Sequence, residues 1–408
     1  MSLREDARRI IDAAIDSALP DRAVSAALEK LNITAPAYVI AVGKAAWQMG
    51  RAAYDSAAFP IEKGIVITKY GHSKGDIPGF DIYEAGHPVL DENSVAATEK
   101  VVELAESLND GDTVVFLVSG GASALFEKPL IPLSDLERLS RELLACGADI
   151  TEINTIRKRF SAVKGGRFAQ LCAPAKVYAV ILSDVLGDRP DMIASGPACP
   201  DSSTSAQAED IVRKYGLDLT EEMKKLLAVE TPKELSNVET LICGSVSQLC
   251  ASAEKTCREL GYTPYILTSR LCCTARDAGV FLGNIAQEYS GSGKKLAFIA
   301  GGETVVRLTG AGLGGRNQEL ALAAAPILDG MENVCIFSVG SDGTDGPTDA
   351  AGGYADGSTF RILKTLGTDV YDVLQDNDSY HALQKCGGLI VTGATGTNVN
   401  DLSVVLIG

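Results

Sequence analysis

The chain opens on an amphipathic stretch. Over residues 3–31, Leu3, Ala7, Ile10, Ile11, Ala14, Ile15 and Ala18 fall on one helical face. The pattern then changes. Short apolar runs at 38–42, 64–68, 81–84, 113–118 and 176–182 predict strands, and the stretches 45–58, 92–108 and 135–146 between them predict helices. Continuous apolar strands separated by helices imply a mostly parallel sheet covered on both faces. Residues 201–236 break the alternation. They are polar and charged, as in Glu221-Glu222-Met223-Lys224-Lys225, and read as one or two surface helices and a linker. A second alternating region follows, with strands expected at 239–243, 263–267, 295–300, 304–308, 334–339 and 402–407 and helices at 246–260, 274–289 and 317–328. The fold class is therefore α/β, with two α/β domains over 1–236 and 237–408. The first helix, within 1–36, could pack on either.

Composition narrows the function. The chain has 408 residues, 46% hydrophobic and 22% charged, with 53 acidic and 37 basic side chains and a net charge of -16. Such a surface repels nucleic acid and anionic membranes, so neither is an expected partner. No apolar run approaches the ~20 residues of a membrane helix. No apolar segment follows Arg4, Glu5, Asp6, Arg8 and Arg9, so no signal peptide is expected and the cytoplasm is the expected compartment. The ten cysteines show no C-x-x-C spacing and read as small apolar residues in a reducing compartment. His72, His87 and His381 are too scattered for a metal site or a triad, and core or surface roles are expected for each.

In open α/β sheets ligands sit beyond the carboxyl ends of the strands, so the loops there carry the chemistry. After 38–42 comes Gly43-Lys44, a cation at a helix start, where the dipole disfavours it unless an anion is near. After 113–118 comes Ser119-Gly120-Gly121-Ala122-Ser123, whose glycines and hydroxyls suit an oxyanion. After 176–182 come Asp184, Asp188 and Asp191, which suit Mg²⁺ or a general base on a hydroxyl. Residues 153–168 hold Asn154, Arg157, Lys158 and Lys164, the densest basic segment of an acidic chain and a candidate anion sink. In the second region, Gly301-Gly302-Glu303 follows 295–300. Asp342, Asp345 and Asp349 follow 334–339 and resemble a cation loop, but lack the terminal bidentate Glu of an EF-hand.

Gly310, Gly312 and Gly315 match G-x-G-x-x-G, and Asp342 stands near where a ribose-binding acid would fall. This keeps an NAD reading open. Against it, Arg316 follows the third glycine where a small or apolar residue is usual. Moreover, 304–308 is expected to pair tightly with 295–300, unlike the opening strand of a βαβ unit. Hydride transfer also has no use for so many cations and carboxylates, whereas phosphoryl transfer uses both.

The ordered motifs Ala41-Val42-Gly43-Lys44, Gly86-His87-Pro88-Val89, Val118-Ser119-Gly120-Gly121-Ala122-Ser123, Ile153-Asn154-Thr155-Ile156-Arg157-Lys158, Leu182-Ser183-Asp184-Val185, Ala194-Ser195-Gly196-Pro197, Gly301-Gly302-Glu303-Thr304, Gly314-Gly315-Arg316-Asn317-Gln318-Glu319, Ser341-Asp342-Gly343-Thr344-Asp345-Gly346 and Gly396-Thr397-Asn398-Val399-Asn400-Asp401 resemble the class II glycerate kinases, the glycerate 2-kinases with a C-terminal MOFRL domain. The resemblance runs from the first helix to Asp401. It implies a Rossmann-like three-layer N-terminal domain and a MOFRL-type domain with a mixed sheet. It also implies ATP- and Mg²⁺-dependent phosphorylation of D-glycerate, usually to 2-phosphoglycerate, in an interdomain cleft. Lys44 and Arg316 match the family's proposed catalytic lysine and arginine. Asp184 is the candidate for orienting or deprotonating the hydroxyl, or for Mg²⁺. Ser119, Gly120, Gly121, Ser123, Asn154 and Arg157 would hold substrate. Gly301, Gly302, Glu303, Gly312, Gly314, Gly315, Asn317 and Asp342 would face ATP, with Asp342 a second metal candidate. A homodimer is the assembly considered. The alternatives are an NAD(P)H-dependent hydroxypyruvate or tartronate reductase and a non-catalytic sugar-phosphate sensor.

Overall fold

A computed structural model describes residues 2–408. In chain order its elements are α1 (Leu3–Ser17), α2 (Pro20–Leu28), β1 (Ala37–Val42), α3 (Ala46–Ser56), β2 (Ile61–Lys69), β3 (Phe80–Ala85), α4 (Glu92–Glu106), β4 (Thr113–Val118), α5 (Ala122–Leu125), α6 (Leu133–Ala145), α7 (Ile150–Arg159), α8 (Arg167–Cys172), β5 (Lys176–Leu182), α9 (Ser205–Tyr215), α10 (Glu221–Leu227) and β6 (Val238–Gly244). Then follow α11 (Val246–Glu259), β7 (Thr263–Leu271), α12 (Ala275–Tyr289), β8 (Leu296–Gly302), α13 (Arg316–Leu328), β9 (Val334–Gly340), β10 (Gly352–Asp356), α14 (Thr359–Thr365), α15 (Val370–Gln375), α16 (Ser379–Lys385), β11 (Leu389–Ile390) and β12 (Asp401–Ile407). The chain divides into two units. One is Pro20–Cys243. The other joins the residues up to Leu19 with Gly244–Gly408.

The first unit holds a six-stranded sheet in the order β3-β2-β1-β4-β5-β6, with β1 to β5 paired in parallel. This is the strand order of a Rossmann fold, whose switch point lies between β1 and β4. The central strands are buried on both faces, and Phe116, Phe126 and Phe168 cluster against them with ring centroids 4.5–5.6 Å apart. Val238–Gly244 closes this sheet as an edge strand, so the boundary follows Cys243 rather than lying near 236. The polar segment 201–236 is also more than a linker. Its helices α9 and α10 and the turn between them bury Ala208, Ile211, Leu217 and Met223 against Leu136, Leu139 and Ile156 in a satellite core.

The second unit holds a mixed sheet in the order β11-β10-β9-β12-β8-β7. Only β7 and β8 run parallel. β12 enters antiparallel between β8 and β9. Helix α13 is buried along most of its length. Close packing there depends on glycine, since a methyl group on Gly279 of α12 would stand 2.2 Å from the Leu320 carbonyl oxygen.

Two expectations differ from the structure. The stretch 3–31 is two helices, because Pro20 starts α2 rather than continuing α1. Ser2 and Glu5 form a capping box on α1, which belongs to the second unit, whereas α2 belongs to the first. Residues 304–308 form no strand. They make one isolated bridge, Val305 with Thr274, and leave Leu308 80% exposed, since no neighbour is in register to pair with them.

Candidate functional site

In the first unit the site is built where β1 and β4 part. The Lys44 amide donates to the Gly120 carbonyl at 2.9 Å, and the Ser119 amide to the Val42 carbonyl at 3.0 Å. The Ser119 hydroxyl accepts from the Ala45 amide at 3.1 Å. Gly43 lies at φ +120°, and a side chain there would strike Ser119. These contacts tie the turn carrying Lys44 to the turn carrying Gly120 and Gly121. A methyl group on Gly120 would stand 2.2 Å from the Asp184 carboxylate. One on Gly121 would stand 2.9 Å from the His87 ring and 3.0 Å from Lys44 Cγ. So Lys44, Ser119, Gly120, Gly121 and Asp184 come together, and His87 joins them. The sequence reading gave His87 no chemical role. The signal was there, because Gly86-His87-Pro88 follows a strand as the other site loops do.

The segment after β5 is strained. Asp188, Ala194 and Ser195 are non-glycine residues at φ 51°, 53° and 61°. Such backbone persists where the surroundings over-determine it, and it gathers at functional sites. Ser195 is held by Asn154, whose side-chain oxygen accepts its hydroxyl at 2.9 Å. Asn154 is thereby committed within the fold.

The basic segment differs from an open anion sink. Lys158 is buried and paired with Asp201 at 2.9 Å. Lys164 is fully buried, 3.2 Å from the equally buried Glu127, and donates to the Ser123 and Phe126 carbonyls at 3.0 and 2.8 Å. Burial, only partly offset by Glu127, lowers the Lys164 ammonium to about 8. Arg157 donates to the same Ser123 carbonyl at 2.9 Å, while its Nε is buried with no hydrogen-bond partner. Burial lowers its pKa, against the pull of Glu127. The charges of Lys158 and Lys164 are thus answered within the protein, and Arg157 and Lys164 together brace the Ser119–Ser123 turn from beneath.

In the second unit, Arg316 begins α13 and donates twice to Asp401, Nε to Oδ2 at 2.6 Å and Nη2 to Oδ1 at 2.9 Å. Its Nη1 lies 3.4 Å from Glu303. Burial opposes the charged guanidinium, but Asp401, Glu303 and Asp345 outweigh it and raise its pKa above the ordinary value. The anion that compensates a cation at this helix start is therefore a protein carboxylate. Asp401 was legible only as part of a motif, because its partner is made 85 residues earlier. Asp345 caps the helix, accepting the Asn317 and Gln318 amides at 3.1 and 2.9 Å. Burial pushes its carboxyl up to about 6. Asn317 is buried and also bonds Asp345 through its side chain and accepts from Ser338.

The glycine fingerprint has a different occupant from a phosphate. Asn377 accepts the Gly310 amide at 3.0 Å, Asp376 the Ala311 and Gly312 amides at 3.1 and 2.8 Å, and Asp378 the Leu313 amide at 3.0 Å. Methyl groups on Gly312, Gly314 and Gly315 would stand 2.2–2.5 Å from Asp378, Ser379 and Asp345. The loop wraps its own acidic segment, so the amides of residues 310–313 have acceptors within the same unit. Gly301 and Gly302 also serve packing, the first against Cys250 and Val246, the second against the Leu271 backbone.

Among the described residues no group of three or more His, Cys, Asp or Glu is gathered to hold a metal. In the 342–349 loop the acids diverge. Asp342 accepts the Thr344 amide, Asp345 caps α13 and Asp349 accepts the Tyr380 hydroxyl. They do not form a cation loop. Mg²⁺, however, ordinarily takes one or two carboxylates and leaves the rest of its shell to phosphates and water. Asp184, at a strand end over Gly120, fits that lesser role.

A Rossmann-order sheet whose first turn reads Gly43-Lys44-Ala45-Ala46, with the G-x-G-x-x-G loop in another unit and not after a strand, defines a two-unit α/β protein without a dinucleotide turn. Residues 6–228 match the domain of unknown function DUF4147, and residues 296–401 match the MOFRL family. The chain is 53% identical to a D-glycerate 2-kinase of Thermotoga maritima, over 100% of this chain and 99% of that protein. It is 39% identical to a glycerate 2-kinase of Pyrococcus horikoshii, over 100% and 98%, and to a putative hydroxypyruvate reductase of Agrobacterium vitis, over 100% and 95%. A crystal structure of glycerate kinase from Thermotoga maritima superposes with a TM-score of 0.96, covering 100% of this chain and 99% of that one. The chain belongs to the class II glycerate kinases, the glycerate 2-kinase family with a MOFRL domain. No described helix is long and apolar enough to cross a membrane.

Proposed function

We propose that the chain is an ATP-dependent D-glycerate 2-kinase. The observation that carries this reading is the gathering of Lys44, the Ser119–Ser123 turn and Asp184 at the switch point of the first sheet. Ligands bind at such a point in open α/β sheets. A lysine there can hold a phosphoryl oxygen, and the turn's hydroxyls and glycine amides can hold substrate oxygens. Ser119, Gly120, Gly121, Ser123 and the Arg157 guanidinium would hold glycerate. Asn154 would act through Ser195. Asp184 would orient or deprotonate the hydroxyl, or give one carboxylate to magnesium carried by ATP. Bound magnesium would neutralise charge on the nucleotide's phosphates. Lys44 and Arg316 would each neutralise phosphate charge, as cations do where charge spreads over the equatorial oxygens of a phosphoryl group. Glu303 and Asp342 stand on the nucleotide side of the assignment. Arg316 would have to share its guanidinium between Asp401 and a phosphate.

The test is direct. The protein is incubated with D-glycerate and MgATP, ADP release is followed, and phosphorus NMR shows which hydroxyl is esterified. ADP release with the phosphate on the 2-hydroxyl is expected. NADH oxidation with hydroxypyruvate, and no ADP from glycerate, would replace the kinase with a reductase. Tight binding of a sugar phosphate without turnover would replace it with a sensor.

A further inference from the structure

The turn after β3 is built to present one side chain. Its Gly86 amide is held by the Asp91 carboxylate, which also accepts from the Tyr70 hydroxyl at 2.6 Å and caps α4 through the Ser94 amide at 2.9 Å. These bonds outweigh the burial that opposes its charge, and the Asp91 carboxyl sits below its usual value. A side chain on Gly86 would strike the Val89 carbonyl and Asp91, so the turn is closely packed. From this base His87 reaches the Gly121 turn, where its ring and Lys44 Cγ border the same point.

The three histidines differ in their bonding. His72 Nδ1 lies 3.0 Å from the Lys44 carbonyl, and His381 Nδ1 pairs with Asp378. The His87 ring is half-buried, and among the described residues none hydrogen-bonds it. Its ring nitrogens are thus open to a ligand or to water. The ring is left with Lys44 beside it and a glycine turn beneath it.

We propose that His87 is a catalytic residue that touches glycerate and takes the proton of the attacking hydroxyl. The inference rests on the kinase reading. The O–H bond breaks toward an imidazole nitrogen, and the oxygen's electron pair forms the new bond to the γ-phosphorus of ATP. The bond from that phosphorus to the bridging oxygen breaks, its electron pair leaving with ADP. The proton on His87 then passes to solvent. Asp184 is left to orient the hydroxyl or hold magnesium.

The electrostatics agree. Burial, then Lys44, Lys69 and His72, all disfavour the imidazolium, so His87 stands below its ordinary value and is a neutral base near pH 7. Of the nearby carboxylates, Asp91 is bonded to the Gly86 amide. Since the base form is the active one, kcat/KM falls as pH drops through the His87 pKa.

The experiment uses the full chain with His87→Gln and His87→Ala beside the wild type. ADP release dependent on D-glycerate is measured from pH 5 to 8, with melting temperatures as a control. We expect kcat to fall about a hundredfold in both variants while the D-glycerate KM stays within about threefold. The acid limb should vanish, and added imidazole should restore part of the His87→Ala activity. A wild type that releases no ADP removes the kinase reading and this inference with it. An active wild type with variants within about threefold of its kcat sinks His87 alone. So does a loss that imidazole does not rescue and that keeps the wild-type pH profile. Should both variants unfold, a wild-type profile flat from pH 5 to 8 also overturns the assignment.

Discussion

Two glycine-rich turns, Ser119–Ser123 and Gly310–Gly315, look alike in sequence and differ in what approaches them. At Gly120 and Gly121 the neighbours are the side chains of Asp184, His87 and Lys44, three groups whose chemistry suits protons and phosphates. At Gly310, Gly312 and Gly314 the neighbours are residues 376–379 of the same unit, whose oxygens occupy the loop's amides. A missing Cβ says that something comes close, and only the fold says what. The loop matching the dinucleotide fingerprint is filled by its own unit, while the turn without it stands at the Rossmann switch point.

The largest effects should come from the two cations. Lys44→Ala and Arg316→Ala should each lower kcat about a thousandfold or more, as loss of a transition-state cation does in other phosphoryl transferases. Lys44→Ala should leave the melting temperature nearly unchanged. Arg316→Ala should also cost about 2 kcal/mol of stability, because Asp401 loses two charged hydrogen bonds. Near-normal turnover in either variant would remove the proposed roles. Next comes the brace beneath the first turn. Lys164→Met leaves Glu127 buried without its cation, which should cost about 3–5 kcal/mol in urea unfolding. Adding Glu127→Leu should recover most of that loss, and failure to do so would show that the carboxylate is solvated from elsewhere.

The paired glycine changes test the comparison itself. Gly120→Ala should push Asp184 aside and lower kcat about a hundredfold, since a displacement of about 1 Å is that costly at a reacting centre. Gly312→Ala should leave kcat of the folded enzyme alone and cost about 1–3 kcal/mol of stability. The reverse outcome would exchange the roles of the two turns. The smallest effect concerns pH. Asp345 holds its proton more tightly when folded, with a carboxyl near 6 against an ordinary 3.8. Its contribution is therefore fully present below pH 4 and is lost as pH rises through 6, on the order of 1 kcal/mol per unit across that window. Asp345→Asn should flatten this slope in melting curves.

Much of this was legible in the pattern of apolar runs. The central strands of the first sheet, β1, β4 and β5, are short, apolar and buried on both faces, so their positions could be read directly. The strand β10 was not, because Gly352-Gly353-Tyr354-Ala355 carries little apolar periodicity and is held by its neighbours β9 and β11. The failed strand at 304–308 shows the converse, apolar spacing with no partner to pair with. For the site, Lys44, Ser119 and Asp184 follow strand ends and could be found by position alone. Asp401 and the Glu127–Lys164 pair could not be placed, since what defines each is a neighbour distant in the chain. The basic run at 157–164 misled for the same reason, its counter-charges Asp201 and Glu127 lying outside it.

The placement of β12 in the middle of its sheet has a consequence for biogenesis. On the ribosome, β8, α13 and β9 emerge well before the strand that must lie between two of them and clamp Arg316. Until then the nascent polypeptide carries two open hydrogen-bonding edges and an unclamped guanidinium. Maturation of this unit is a late insertion event, and chaperones would have their chief opportunity in that interval.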